Sequence, residues 1–107
     1  MSIAELIEAV EAGTATMRDF IDAFGGIPMG NDIEAYNAYN GSLDAAKALH
    51  EALLPGWGWM LGDKGTACVI APDHLYEKGV RGNAVKSGLY PARAWLLAIL
   101  RAKEAGQ

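Results

Sequence analysis

Apolar residues recur at helical spacing over the first 26 residues. Ile3, Leu6, Ile7 and Val10 fall at i, i+3, i+4 and i+7 behind Ser2-Ile3-Ala4-Glu5, which has capping-box spacing, so a first helix is predicted up to about Gly13. Thr14 or Thr16 caps a second helix, in which Met17, Phe20, Ile21 and Phe24 repeat the spacing before Gly25-Gly26 breaks it. Residues 1–26 therefore read as a helical hairpin. Residues 26–41 hold Pro28, Gly30, Asn31, Asn37 and Asn40 and read as an ordered, turn-rich connector, to which Ile33, Tyr36 and Tyr39 could lend a helical turn. Ser42 then caps a third helix with Asp44 in its first turn and a stripe of Leu43, Ala46, Leu49 and Leu53, ended by Pro55-Gly56.

The period changes after Gly56. Trp57, Trp59 and Leu61 alternate with Gly58 and Met60, Gly62-Asp63-Lys64-Gly65 supplies a turn, and Thr66 to Ala71 is apolar on both faces, which together predict a β-hairpin. Residues 73–90 have no strong period and read mostly as loop, with a short third strand conceivable at Leu75-Tyr76 or Ala84-Val85. Pro91 fits the first position of a last helix whose core face is Ala92, Trp95, Leu96, Ile99 and Leu100, widened by Leu97 and followed by basic Arg101 and Lys103. The predicted class is α+β, with helices packed on a short antiparallel hairpin or sheet in the order α-α-α-β-β-α. One domain is expected over residues 1–107, with residues 42–104 as its helix-hairpin-helix core.

Composition narrows the function classes. A chain of 107 residues that is 51% hydrophobic and 21% charged is a single globular domain of ordinary make-up. Its one cysteine, Cys68, excludes a disulfide scaffold and points to a reducing, cytoplasmic setting. The acidic, amphipathic start is unlike a leader peptide and the run from Ala94 to Leu100 is too short to span a bilayer, so the whole chain is expected to act away from membranes. The net charge of -4 is uneven: residues 1–54 carry nine acids against Arg18 and Lys47, giving -7, while residues 55–107 carry four acids against seven bases, giving +3. An acidic surface for a basic partner plus a basic pocket for an anion would produce that asymmetry, and so would solvated helix faces. The acidic balance disfavours extended nucleic acid as a ligand.

The run Ser42-Leu43-Asp44-Ala45-Ala46, the motif Leu54-Pro55-Gly56-Trp57-Gly58-Trp59 and the ending Pro91-Ala92-Arg93-Ala94-Trp95-Leu96-Leu97-Ala98-Ile99-Leu100-Arg101-Ala102 resemble the phage ABA-sandwich family, small phage and prophage proteins. The opening Ala4-Glu5-Leu6-Ile7-Glu8-Ala9-Val10-Glu11 is similar to the leading helix of such proteins. The resemblance implies a helix, hairpin, helix sandwich in which the paired tryptophans stack on the last helix and small alanines let helices approach the sheet. It brings no catalytic residue, and the glycine-rich stretch from Lys78 to Gly88 is longer than the hairpins of the family. The phage context implies action in the host cytoplasm, as an inhibitor of host defence.

Two binding surfaces follow. Glu5, Glu8, Glu11, Asp19 and Asp22 form an acidic face that could cover a basic, nucleic-acid-binding surface on a host defence protein, as an anti-CRISPR protein does; their spacing equally fits a solvated outer face. Alternatively Lys78, Arg81, Lys86 and Arg93, among Gly79, Gly82 and Gly88, could grip the phosphates of a signalling nucleotide while Trp57, Tyr76 or Tyr90 stacks its base and His74 opens the loop. The wide apolar face of the last helix, with Trp95 and Leu97, would suit a homodimer. No cofactor and no metal is expected, because Cys68, His50 and His74 lie in different elements without metal-ligand spacing. Cys68 reads as a small hydrophobe and His50 as a boundary or surface residue bonded nearby. Residues 79–87 lack the glycine that a Walker motif places before its lysine, since Val85 stands there. A small hydrolase using His74 as base beside Arg81 or Lys86, and a virion structural role, complete the alternatives.

Overall fold

The computed structural model describes residues 1–25, 30–62, 66–70, 83–86 and 91–104. Helix α1, Ile3–Ala12, begins in a reciprocal capping box: Ser2 Oγ accepts from the Glu5 amide at 3.1 Å and Glu5 Oε1 accepts from the Ser2 amide at 3.0 Å. It ends at Gly13, whose φ of 75° is the left-handed conformation glycine adopts without cost. Helix α2, Met17–Ala23, repeats the device with Thr16 and Asp19, which settles the cap on the second of the two threonines. Helix α3 is Asn31–Tyr39, α4 is Leu43–Leu53 capped by Ser42 Oγ on the Ala45 amide, and α5 is Pro91–Glu104. Strands β1 (Gly58–Gly62), β2 (Thr66–Ile70) and β3 (Asn83–Lys86) form an antiparallel sheet in the order β1-β2-β3.

The class is α+β, with helices packed on a short antiparallel sheet. Two elements extend the expected order. The connector contains a whole helix, α3, because Ala35, Ala38 and Tyr39 bury themselves against its neighbours despite its weak apolar period. Within the stretch read mostly as loop, Ala84-Val85 lies in β3, opposite Cys68 and Ala67. Among the described residues, then, the order is α-α-α-α-β-β-β-α.

The core is organised around α5. Ala92, Ala94, Trp95, Leu96, Leu97, Ala98, Ile99, Leu100 and Ala102 are all buried, so apolar residues surround the helix as they do in a core element with neighbours on every side. It packs against α1, α3 and α4 and lies over β2 and β3, touching β1 only lightly. The face expected to make a homodimer, with Trp95 and Leu97, is thus consumed inside one chain. The α4 stripe is also rotated from the expected one: Ala45, Ala46, Leu49 and His50 are buried, while Leu43 is exposed and Leu53 half-buried.

Glu5 carries a testable consequence of the first cap. The Ser2 backbone hydrogen bond, helped by the Ser2 hydroxyl, holds its carboxyl below the ordinary carboxylate range. A lowered folded-state value means that the cap stabilises fully above the unfolded value and is lost as pH falls through the lowered one. The protection of the Ser2 amide, measured by NMR as its exchange rate relative to the intrinsic rate at each pH, is expected to fall in that acid window in the parent. In Glu5→Gln the acid-dependent part should vanish.

Candidate functional site

A group of chemistry-bearing side chains joined by hydrogen bonds and ring contacts lies where α4 meets β1. Leu54-Pro55-Gly56-Trp57 is a tight turn in which the Trp57 amide donates to the Leu54 carbonyl at 3.1 Å and Gly56 takes a φ of 84°, the type II pattern with proline second and glycine third. The turn folds the Trp57 carbonyl back onto His50, whose Nε2 donates to it at 2.9 Å. On the other side of the ring, Nδ1 accepts from the Trp95 indole N–H at 3.2 Å. A carbonyl only accepts and an indole N–H only donates, so the two partners assign the tautomer with the proton on Nε2. Trp59 completes the cluster, stacked on Trp95 with centroids 5.2 Å apart and edge-on to His50 at 5.2 Å. His50 is therefore a buried joint between α4, the turn and α5 rather than a boundary or surface residue. Its two ring nitrogens are both engaged, which leaves neither available as a general base.

The acidic face is distributed over several tasks. Glu5 and Asp19 close the two capping boxes, Asp22 pairs with Arg18 at 3.3 Å, and Glu11 reaches α5 to pair with Arg101 at 3.1 Å. Among the described residues Glu8 has no such partner. Glu5, Glu8, Glu11 and Asp22 are exposed and Asp19 is half-buried, while Leu6, Ile7 and Val10 on the opposite side of α1 are buried. Helix α1 thus presents three carboxylates on a fixed support.

The basic candidates are not brought together among the described residues. His74, Tyr76, Lys78, Arg81 and Tyr90 lie outside them. Lys86 ends β3 opposite Thr66. Arg93 belongs to the other side of the core: its Nε donates to the Tyr39 carbonyl at 3.0 Å and its guanidinium sits 4.1 Å over the Tyr39 ring, tying α5 to α3. Trp57 is buried, so its ring packs into the core in place of offering a face for a base.

Three features escaped the sequence reading. Asp32, in the first turn of α3, is fully buried; its Oδ1 accepts from the Ile33 amide at 2.8 Å and its Oδ2 has no hydrogen-bond partner among the described residues. The His50 joint depends on Trp95, 45 residues away. Consecutive residues Trp59, Met60 and Leu61 are all exposed, on both faces of the predicted alternation. Cys68, in β2, is half-buried with its thiol directed at the Val69 carbonyl. No group of three metal-ligating side chains and no helix long and apolar enough to cross a membrane occurs among the described residues.

No protein-family model, no curated protein and no solved structure matches the chain.

Proposed function

We propose that the protein is a non-enzymatic binding protein, encoded by a phage or prophage, that acts in the host cytoplasm by occupying a basic surface of a host defence protein. The observation that carries this reading is the outer side of α1, where Glu5, Glu8 and Glu11 are exposed on a helix whose inner side is locked into the core. A rigid helix loses little conformational freedom on docking, and carboxylates fixed along it attract a cationic surface before contact. The resemblance to phage proteins supplies the biological setting. Sequestration of a signalling nucleotide gains less support, because Arg93 and Trp57 are committed to the core.

Charge reversal tests it. In cells with an active defence system, expression of the parent is expected to restore phage plating, and Glu8→Lys with Glu11→Lys to reduce that effect by at least about tenfold. Arg101→Ala removes the same ion pair as the Glu11 change without touching the carboxylates and should retain activity, as should Lys86→Glu. Full activity in the doubly reversed variant, or its loss in Lys86→Glu, would refute the acidic-face reading and favour a phosphate ligand.

A further inference from the structure

Strand β1 is one of the two edge strands of the described sheet, and its sequence is self-complementary. Among the described residues β1 is paired on one side only, by β2, in an unbroken register from Gly58↔Ile70 to Gly62↔Thr66. Among those residues its outer edge therefore presents backbone donors and acceptors that no strand pairs. Natural proteins shield such edges with lysine, proline or a bulge, and this strand has none of the three: Gly58-Trp59-Met60-Leu61-Gly62 is uncharged, continuous and apolar. Trp59, Met60 and Leu61 are 40%, 63% and 38% exposed. Trp59 and Leu61 are partly open because α5 lies over β2 and β3 and reaches β1 chiefly through the Trp59–Trp95 stack, while Met60 is on the opposite face of the sheet.

We propose that β1 pairs with β1 of a second copy of this chain, antiparallel and centred on Met60. A two-fold axis perpendicular to the sheet keeps each residue on its own face, so only registers that join residues of like parity are allowed. Centring on Met60 is the register that pairs all five positions. Met60 then faces Met60 of the second copy, Trp59 faces Leu61, and each terminal glycine faces the other. The bulky residues meet in the middle and nothing bulky is crowded at the ends. The Trp59 and Leu61 side chains lie on the α5 side, opposite Val69 and Ala67, so the two aromatic-aliphatic pairs would fill the strip that each α5 leaves bare. Residues 54–62 carry no charge to oppose the approach of like to like. A partner of different sequence would need none of this internal symmetry.

The size of the patch sets the strength. The three side chains leave roughly 300 Å² exposed in each copy, divided between the two faces of the sheet, with Trp59 and Leu61 on one and Met60 on the other. Pairing in the plane of the sheet buries at most about twice that plus the strand edges, below the ~1,200 Å² of a standard stable interface, so the dimer is a weak, concentration-dependent one.

Sedimentation velocity of the full chain from roughly 10 µM to 1 mM is expected to show the average mass rising from 11.3 kDa toward twice that. Met60→Lys sets like charges opposite each other at the axis and should stay at one chain's mass throughout, with the parent's circular dichroism spectrum and melting temperature. Met60→Leu should still associate. The register is read by disulfide capture in a Cys68→Ala background, since Cys68 is the β2 neighbour of Met60 and would otherwise compete. Met60→Cys brings two thiols opposite each other at a Cα separation of about 4.5–5.5 Å, within disulfide reach, and should cross-link under a mild oxidant. Leu61→Cys faces Trp59 of the other copy and should cross-link far less. A mass that stays at one chain for the parent, a Met60→Lys variant that associates like the parent, or cross-linking that favours Leu61→Cys would each overturn the proposal.

Discussion

Replacing His50 by phenylalanine is expected to lower stability by about 2–6 kcal/mol, out of the roughly 5–15 that a domain possesses. Phenylalanine fills similar space, so cavity formation is minor and the loss isolates the polar partners. Both would be stranded: the Trp57 carbonyl loses its donor and the Trp95 indole loses its acceptor, in surroundings that water does not reach. Each buried unsatisfied group costs about 1–3 kcal/mol. Trp95→Phe alone strands the His50 Nδ1 in the same way. The double variant His50→Phe with Trp95→Phe leaves only the Trp57 carbonyl unpaired, so it should cost clearly less than the sum of the single changes. Urea unfolding with an unchanged m-value is the measurement. Strict additivity would show that the His50–Trp95 hydrogen bond carries no energy of its own.

Phe20→Ala is the second large effect, at about 3–5 kcal/mol. Phe20 is the one fully buried residue of α2, and its ring meets Tyr36 edge-on at 5.8 Å and Tyr39 at 5.8 Å, with Tyr36 and Tyr39 stacked on each other at 6.4 Å. A helix of seven residues is too short to persist unless tertiary packing holds it. Truncating Phe20 removes both the packing and the reason for α2 to form. Thermal unfolding should fall by at least about 12 °C, and amide protection should disappear across α2 before it does in β2. A melting point within a few degrees of the parent's would show that α2 is held by other means.

The sequence exposed those elements whose signals are local. Helices α1, α2 and α4 announce themselves through caps, apolar period and terminal glycine or proline, and the hairpin through alternation around a turn. Helix α3 does not, because its burial rests on Ala35, Ala38 and Tyr39 meeting residues from distant elements, and alanines surrounded by asparagine and glycine carry little periodic signal. Strand β3 is equally opaque, since four residues of which three are small or polar acquire their identity only from the ladder with β2. The candidate site divides in the same way. Glu5, Glu8 and Glu11 can be placed on the outside of α1 from spacing alone. The position of Arg93 on Tyr39, the burial of Asp32 and the two-sided engagement of His50 each need contacts made across many tens of residues or in a neighbouring helix, which no window along the chain contains.

Helix α5 is the shared wall of the core and also the last of the described elements in chain order. A ribosome adds roughly 5–20 residues per second, so everything before Pro91 is made and exposed while its main packing partner does not yet exist. Leu6, Val10 and Leu49 then have no wall to press against. Birth of this protein is therefore a waiting period in which half a core is displayed to the cell, and the decisive folding step follows the emergence of a single fourteen-residue segment.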